Sequence, residues 1–162
     1  MLYTIVAEVG SEVTVEQARA PSVEVAIERW RRWSLLRPTG RDWPDAVQIQ
    51  GVPNCWCDSD NTETGRHVLM HIVETDESEV FRRAVVVWNV HDTTTVTEVN
   101  AESPAEAFAT SMKQAVEVAG HVGDVARELA CLVGTGELEV GLPGVWRLRD
   151  GGIDAVAVAT RS

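Results

Sequence analysis

Laid against itself with a shift of 81 positions, residues 3–34 fall on residues 84–115 without a gap. Val9 meets Val90, Thr14 meets Thr95, Val15 meets Val96, Ala20 meets Ala101, Ser22 meets Ser103 and Ala26 meets Ala107. Gly10-Ser11 falls on His91-Asp92, so a turn falls on a turn. Two further blocks follow in the same order. Gly51-Val52-Pro53-Asn54-Cys55-Trp56 matches Gly141-Leu142-Pro143-Gly144-Val145-Trp146 as G-[VL]-P-x-x-W at a shift of 90, and Arg66–Thr75 lies on Ile153–Ser162 at a shift of 87. An internal repeat constrains a fold before anything else does, because each copy must be one structural unit. Three blocks in one order imply duplication and fusion, with copies at 1–80 and 82–162.

Each copy reads as a hairpin followed by a helix and more strand. Leu2–Val9 and Val13–Ala20 are rich in β-branched residues around a short turn. Ser22 is placed to accept an orphan amide at a helix start. Val23, Ala26, Ile27, Trp30 and Trp33 follow at helical spacing, and the helix is expected to stop before Pro38 and Gly40. Strands are expected at Ala46–Gln50 and Arg66–Glu74, with a polar loop at Asp58–Gly65. The second copy has a hairpin at Arg82–Val90 and Thr94–Ala101, then Ser103-Pro104 as helix cap and first turn. Phe108, Met112, Ala115, Val116 and Ala119 form its stripe, which Gly120–Gly123 interrupts. Asp124 is placed to cap a second helix that ends at Gly134, and Asp150-Gly151-Gly152 joins two last strands, Val145–Arg149 and Ile153–Thr160. The expected fold is α+β: two tandem diverged β-β-α-β-β units with antiparallel sheet, helices on one face and a pseudo-two-fold, forming a single compact domain.

Composition narrows the function classes. A net charge of −11 over 162 residues repels phosphate backbones and disfavours nucleic acid as a partner. Both copies are acidic. No apolar run approaches the roughly 20 residues of a membrane span, and the strand-like start lacks a signal peptide's basic flank. Three cysteines, Cys55, Cys57 and Cys131, are an odd count that fits a reducing compartment, hence a cytoplasmic location. Lys113 is the one lysine among 14 basic residues, and with abundant Ala and Val this points to a GC-rich bacterial or phage source.

Candidate chemistry falls into two groups. Cys55, Cys57, His67 and His71 form C-x-C-x9-H-x3-H, with Asp58 beside them. The ligand order is that of a zinc finger, but the cysteine spacing is one residue short. On a strand His67 and His71 would lie ~13 Å apart. The second copy carries no Cys or His at the matching places, so no metal and no cofactor is expected. A cysteine nucleophile lacks any local signature here. Asp58–Glu63 is oxygen-rich but out of register for an EF-hand loop, and Gly134-Thr-Gly136 follows a helix where a phosphate loop would precede one.

The second group is an Arg/Trp cluster on an acidic chain: Arg29, Trp30, Arg31, Arg32, Trp33, Arg37 and Arg41. Trp and Arg are the residues most enriched in binding hot spots. Trp30 and Trp33 stand three residues apart, ~60° around a helix, so both cannot face the core fully at the centre of the buried stripe. The expected function is therefore a non-enzymatic protein-binding module of inhibitor, immunity or phage accessory type, contacting a protein partner through Trp30, Trp33, Arg29, Arg32 and Arg37. The alternative is a small-molecule binder or enzyme with a site where the repeats meet, drawing on Cys55, Cys57, Asp58, His67 and His71. The oligomeric state stays open.

Overall fold

In the computed structural model, residues 1–34, 36, 46–78, 80–119 and 124–161 are described. The chain divides into two compact units, Met1–Thr75 and Asp76–Ser162.

In unit 1, β1 (Leu2–Val9) and β2 (Glu12–Arg19) form the hairpin, α1 spans Val23–Trp33, and β3 (Val47–Gln48), β4 (Cys55–Asn61) and β5 (His67–Thr75) complete the sheet. The sheet is antiparallel throughout, in the order β2-β1-β5-β4-β3. One face carries Tyr3, Ile5, Ala7 and Val9 from β1 and Val68, Met70 and Ile72 from β5. Val23, Ala26, Ile27 and Trp30 of α1 close over them.

Unit 2 repeats that order. β6 (Arg83–Val90), β7 (Thr93–Asn100), β8 (Glu139–Leu142), β9 (Val145–Asp150) and β10 (Ile153–Ala159) are arranged β7-β6-β10-β9-β8, all antiparallel. Two helices accompany it, α2 (Pro104–Ala119) and α3 (Val125–Thr135). The chain is thus α+β with a repeated five-stranded sheet. None of the described helices is long and apolar enough to cross a membrane.

The shift of 81 holds strand for strand: β1 and β2 map onto β6 and β7 end to end, and α1 and α2 begin at equivalent residues. Both helices start on a serine. Ser22 Oγ accepts from Val25 N at 3.5 Å, and Ser103 Oγ accepts from Glu106 N at 3.2 Å. Strand register extends the equivalence. Thr4 pairs with Val73 and Val85 with Val158, and these in turn pair with Cys55 and Val145. Trp56, Asp58 and Asp60 are therefore the counterparts of Trp146, Leu148 and Asp150.

Four expectations need correction. The last block aligns at a shift of 85 and not 87, because pairing to the hairpin sets the register where residue similarity is thin. Asp58–Asn61 is not loop. β4 runs on through Asn61, pairing with β5 as far as His67, and Asp58 and Asp60 meet Arg31 there. Asp124 makes no side-chain capping bond to α3. That helix also passes Gly134 and stops at Thr135, with Gly136 as its cap. A Cβ on Gly136 would sit 2.4 Å from the Leu132 carbonyl oxygen, so a side chain there has no room.

Candidate interaction surface of the first unit

α1 takes its direction from the period of its apolar residues. Val23, Ala26, Ile27 and Trp30 are buried against the sheet, whereas Trp33, the last residue of the helix, is not covered. Trp30 is 4% exposed and Trp33 is 83% exposed. The helix ends one residue later, where Ser34 turns extended while its amide still donates to the Trp30 carbonyl at 2.7 Å.

A groove of about 390 Å3 runs between this end of α1 and β2. Glu16, Gln17, Ala18 and Arg19 form one wall, and Arg29, Trp30, Trp33 and Ser34 form the other. The buried indole is tied across it: Trp30 Nε1 donates to the Glu16 carboxylate. The Arg29 guanidinium donates to the Arg19 carbonyl, and Arg32 pairs with Glu28 one turn back on the exposed face. Of the five predicted partner-binding residues, Arg29, Trp30 and Trp33 line the groove and Arg32 lies beside it on the helix. Arg37 lies outside the described residues, as do Arg41 and Trp43.

Beneath the same helix end lies a feature that the sequence reading missed. Arg31 reaches Asp58 Oδ2 at 3.3 Å, and its Nε lies 2.8 Å from Asp60 Oδ2. Their side chains are only 6%, 0% and 3% exposed, respectively. Register places Asp58 opposite Met70 and Asp60 opposite Val68, on the helix-facing side of the sheet. Burial lowers the Arg31 pKa, against the pull of both carboxylates, and burial likewise raises that of Asp58. The legible signal was the period-2 pattern Trp56, Asp58, Asp60, which puts both acids on the face of a core tryptophan.

The alternative cluster is split between two faces. Asp58 points to the helix, while Cys55, Cys57 and His71 occupy the other side of the sheet. His67, four residues before His71 on β5, lies at the far end opposite Asn61. His71 faces Cys57 across the strands and is buried. Desolvation lowers its pKa to about 4, and its Nδ1 has no hydrogen-bond partner among the described residues. Burial raises the Cys57 thiol, and the charges of Asp58 and Glu8 raise it further. A neutral thiol beside a neutral imidazole is the reverse of an activated nucleophile, which needs thiolate. Among the described residues no group of three or more His, Cys, Asp or Glu is arranged to hold a metal ion.

Unit 2 carries a cleft of about 490 Å3 between its hairpin turns and α3, lined in part by His91, Glu128 and Cys131. His91 stands at φ 48, in the left-handed region, and its Nε2 meets Glu128 Oε2 at 3.0 Å. Gly10 is its counterpart in unit 1, at φ 61.

No family model, curated protein or solved structure matches the chain.

Proposed function

We propose that the chain is a non-enzymatic protein-binding module that docks its partner on the groove between α1 and β2. The observation that carries this reading is Trp33, an indole 83% exposed at the edge of a groove walled by a second, buried tryptophan. An exposed tryptophan beside a cavity is costly to leave in water and is the residue type most enriched among binding hot spots. Arg29 and Arg32 flank it on the exposed side of α1. The occupant that fits is a protein surface offering one apolar side chain to the groove and carboxylates to the two guanidinium groups.

The counterpart region of unit 2 supports the choice of site by contrast. Thr110, Ser111 and Gln114 stand where unit 1 has Arg29, Trp30 and Trp33, so the second copy has no aromatic to offer. We read the two units as products of duplication and fusion, after which one kept or gained the binding face. The shared strand order and the shift of 81 support that history. A cytoplasmic setting accords with three cysteines that are all unpaired.

The test begins with a photo-crosslinking amino acid at position 33 to capture and identify the partner. Affinity and melting temperature are then measured for Trp33→Ala and Arg32→Ala. Trp33→Ala is expected to weaken binding by about 2 kcal/mol, roughly thirtyfold, with the melting temperature unchanged. Arg32→Ala is expected to cost less. Unchanged affinity in a folded Trp33→Ala protein would remove this surface from consideration.

A further inference from the structure

Arg31 leaves α1 from its last turn, two residues before Trp33, and ends between Asp58 and Asp60 on β4. Charges this deeply buried are a poor source of stability, because losing water offsets their attraction and an apolar replacement of similar volume often does as well. Unit 2 contains such a replacement. Met112 stands for Arg31 and Leu148 for Asp58, while Asp150, the counterpart of Asp60, is exposed. Its helix also runs past Gln114, the counterpart of Trp33, to Ala119. The buried charges therefore occur in the unit whose helix ends on an exposed indole, and are missing from the unit whose helix does not.

A guanidinium between two carboxylates is fixed in direction as well as place, whereas a methionine slides and turns against its neighbours. We infer that Arg31 is a positioning residue for the binding surface. It locks the last turn of α1 over β4, so that Trp33 and Arg32 are presented in one orientation before a partner arrives. Such prior ordering removes part of the entropy cost of association. The inference rests on the reading of the Trp33 face as a partner-binding surface.

The experiment uses the full chain labelled with fluorotryptophan, with the Trp33 fluorine resonance assigned by Trp33→Phe. Amide exchange of Arg32, Trp33 and Ser34 is followed in parallel. Three proteins are compared: the native chain, Arg31→Lys, and the triple variant Arg31→Met/Asp58→Leu/Asp60→Asn, which imports the apolar solution of unit 2. The triple variant is expected to melt cooperatively and keep amide protection in β1 and β5. Its last helical turn should nonetheless lose protection by about tenfold or more, and its Trp33 line should narrow. Arg31→Lys keeps the charge without the fork and is expected to fall between the two. A triple variant with native protection and a native Trp33 line would overturn the inference. Should that variant fail to fold, native protection in Arg31→Lys would overturn it equally. None of these measurements needs a partner, so a failure here leaves the Trp33→Ala binding test standing, and the reverse also holds.

Discussion

Unit 1 and unit 2 build the same sheet and dock a helix on the same face, yet fill the space between with different chemistry. In unit 1 the small residue is on the strand, Ala7, and the large one on the helix, Trp30. In unit 2 the sizes are exchanged: Trp88 is on the strand and Ser111, at the position of Trp30, is on the helix. Both indoles also satisfy their N–H, Trp30 with Glu16 and Trp88 with Ser111 Oγ at 2.8 Å. Nearby, a buried ionic cluster in one unit replaces a methionine and a leucine in the other. The fold thus demands a hairpin register, a capped helix start and a filled volume, and it is indifferent to how that volume is composed. What the fold does not demand, such as an indole turned to solvent at the end of α1, is where function is to be sought.

The largest expected effect tests the exchange of sizes. Trp88→Ala removes a fully buried ring that also stacks edge-on against Phe108 at 5.9 Å. Denaturant unfolding should show a loss of about 3–5 kcal/mol. Adding Ser111→Trp moves unit 2 toward the arrangement of unit 1 and should recover about half of that loss or more. If the double variant is no more stable than the single one, the two interiors are not one packing composed in two ways.

The next effect concerns His71, whose counterpart is the buried Val156. The folded protein keeps His71 neutral down to about pH 4, while in the unfolded chain it takes up its proton near the ordinary value of 6.5. Stability from this group is complete above that value and is lost as pH falls from 6.5 toward 4. The loss amounts to about 3 kcal/mol. Asp58 acts in the opposite sense, since its raised pKa lets the folded state bind a proton before the unfolded state does. His71→Val, which copies unit 2, should therefore flatten the pH dependence by removing the first effect alone. Parallel pH profiles for the native chain and the variant would contradict the buried, neutral imidazole.

The smallest effect is expected at the β6–β7 turn. His91→Gly copies Gly10 and relieves a left-handed conformation that costs a side-chain-bearing residue about 1 kcal/mol. It also removes an exposed pair with Glu128 worth about the same or less. The two should cancel to within about 0.5 kcal/mol. A larger loss would mean that His91 ties α3 to the hairpin more firmly than its exposure suggests.

Much of this was legible without coordinates because it depends on local sequence. The hairpins announce themselves through β-branched runs around turn residues, and Ser22 and Ser103 mark the helix starts. The ~60° between Trp30 and Trp33 leaves both near one face of the helix, so the outward turn of Trp33, on the last helical residue, had to be seen in the structure. The rest depends on residues far apart in the chain. Asp58 and Asp60 read as loop because acids seldom enter a core. Pairing with Met70 and Val68 of β5 makes them strand, and Arg31 arriving from α1 meets their charge. Gly134 and Gly136 look alike until Leu132 is seen to crowd the second. The Cys/His cluster looked like one site because its members are close in sequence, but strand alternation sends Asp58 to the opposite face from Cys57 and His71.

The exchange between Ala7/Trp30 and Trp88/Ser111 also bears on how a chain with two like halves avoids confusing them. The two hairpins share one register and α1 and α2 start at equivalent residues, so the hairpin and helix start alone do not assign a helix to its own sheet. α1 laid on the strands of unit 2 would bring Trp30 against Trp88, two rings where there is room for one. α2 laid on the strands of unit 1 would set Ser111 over Ala7 and leave a hole. Each sheet and its helix are cut as lock and key to one another, so a chimera that trades only the helices should misfold where one that trades whole units should not.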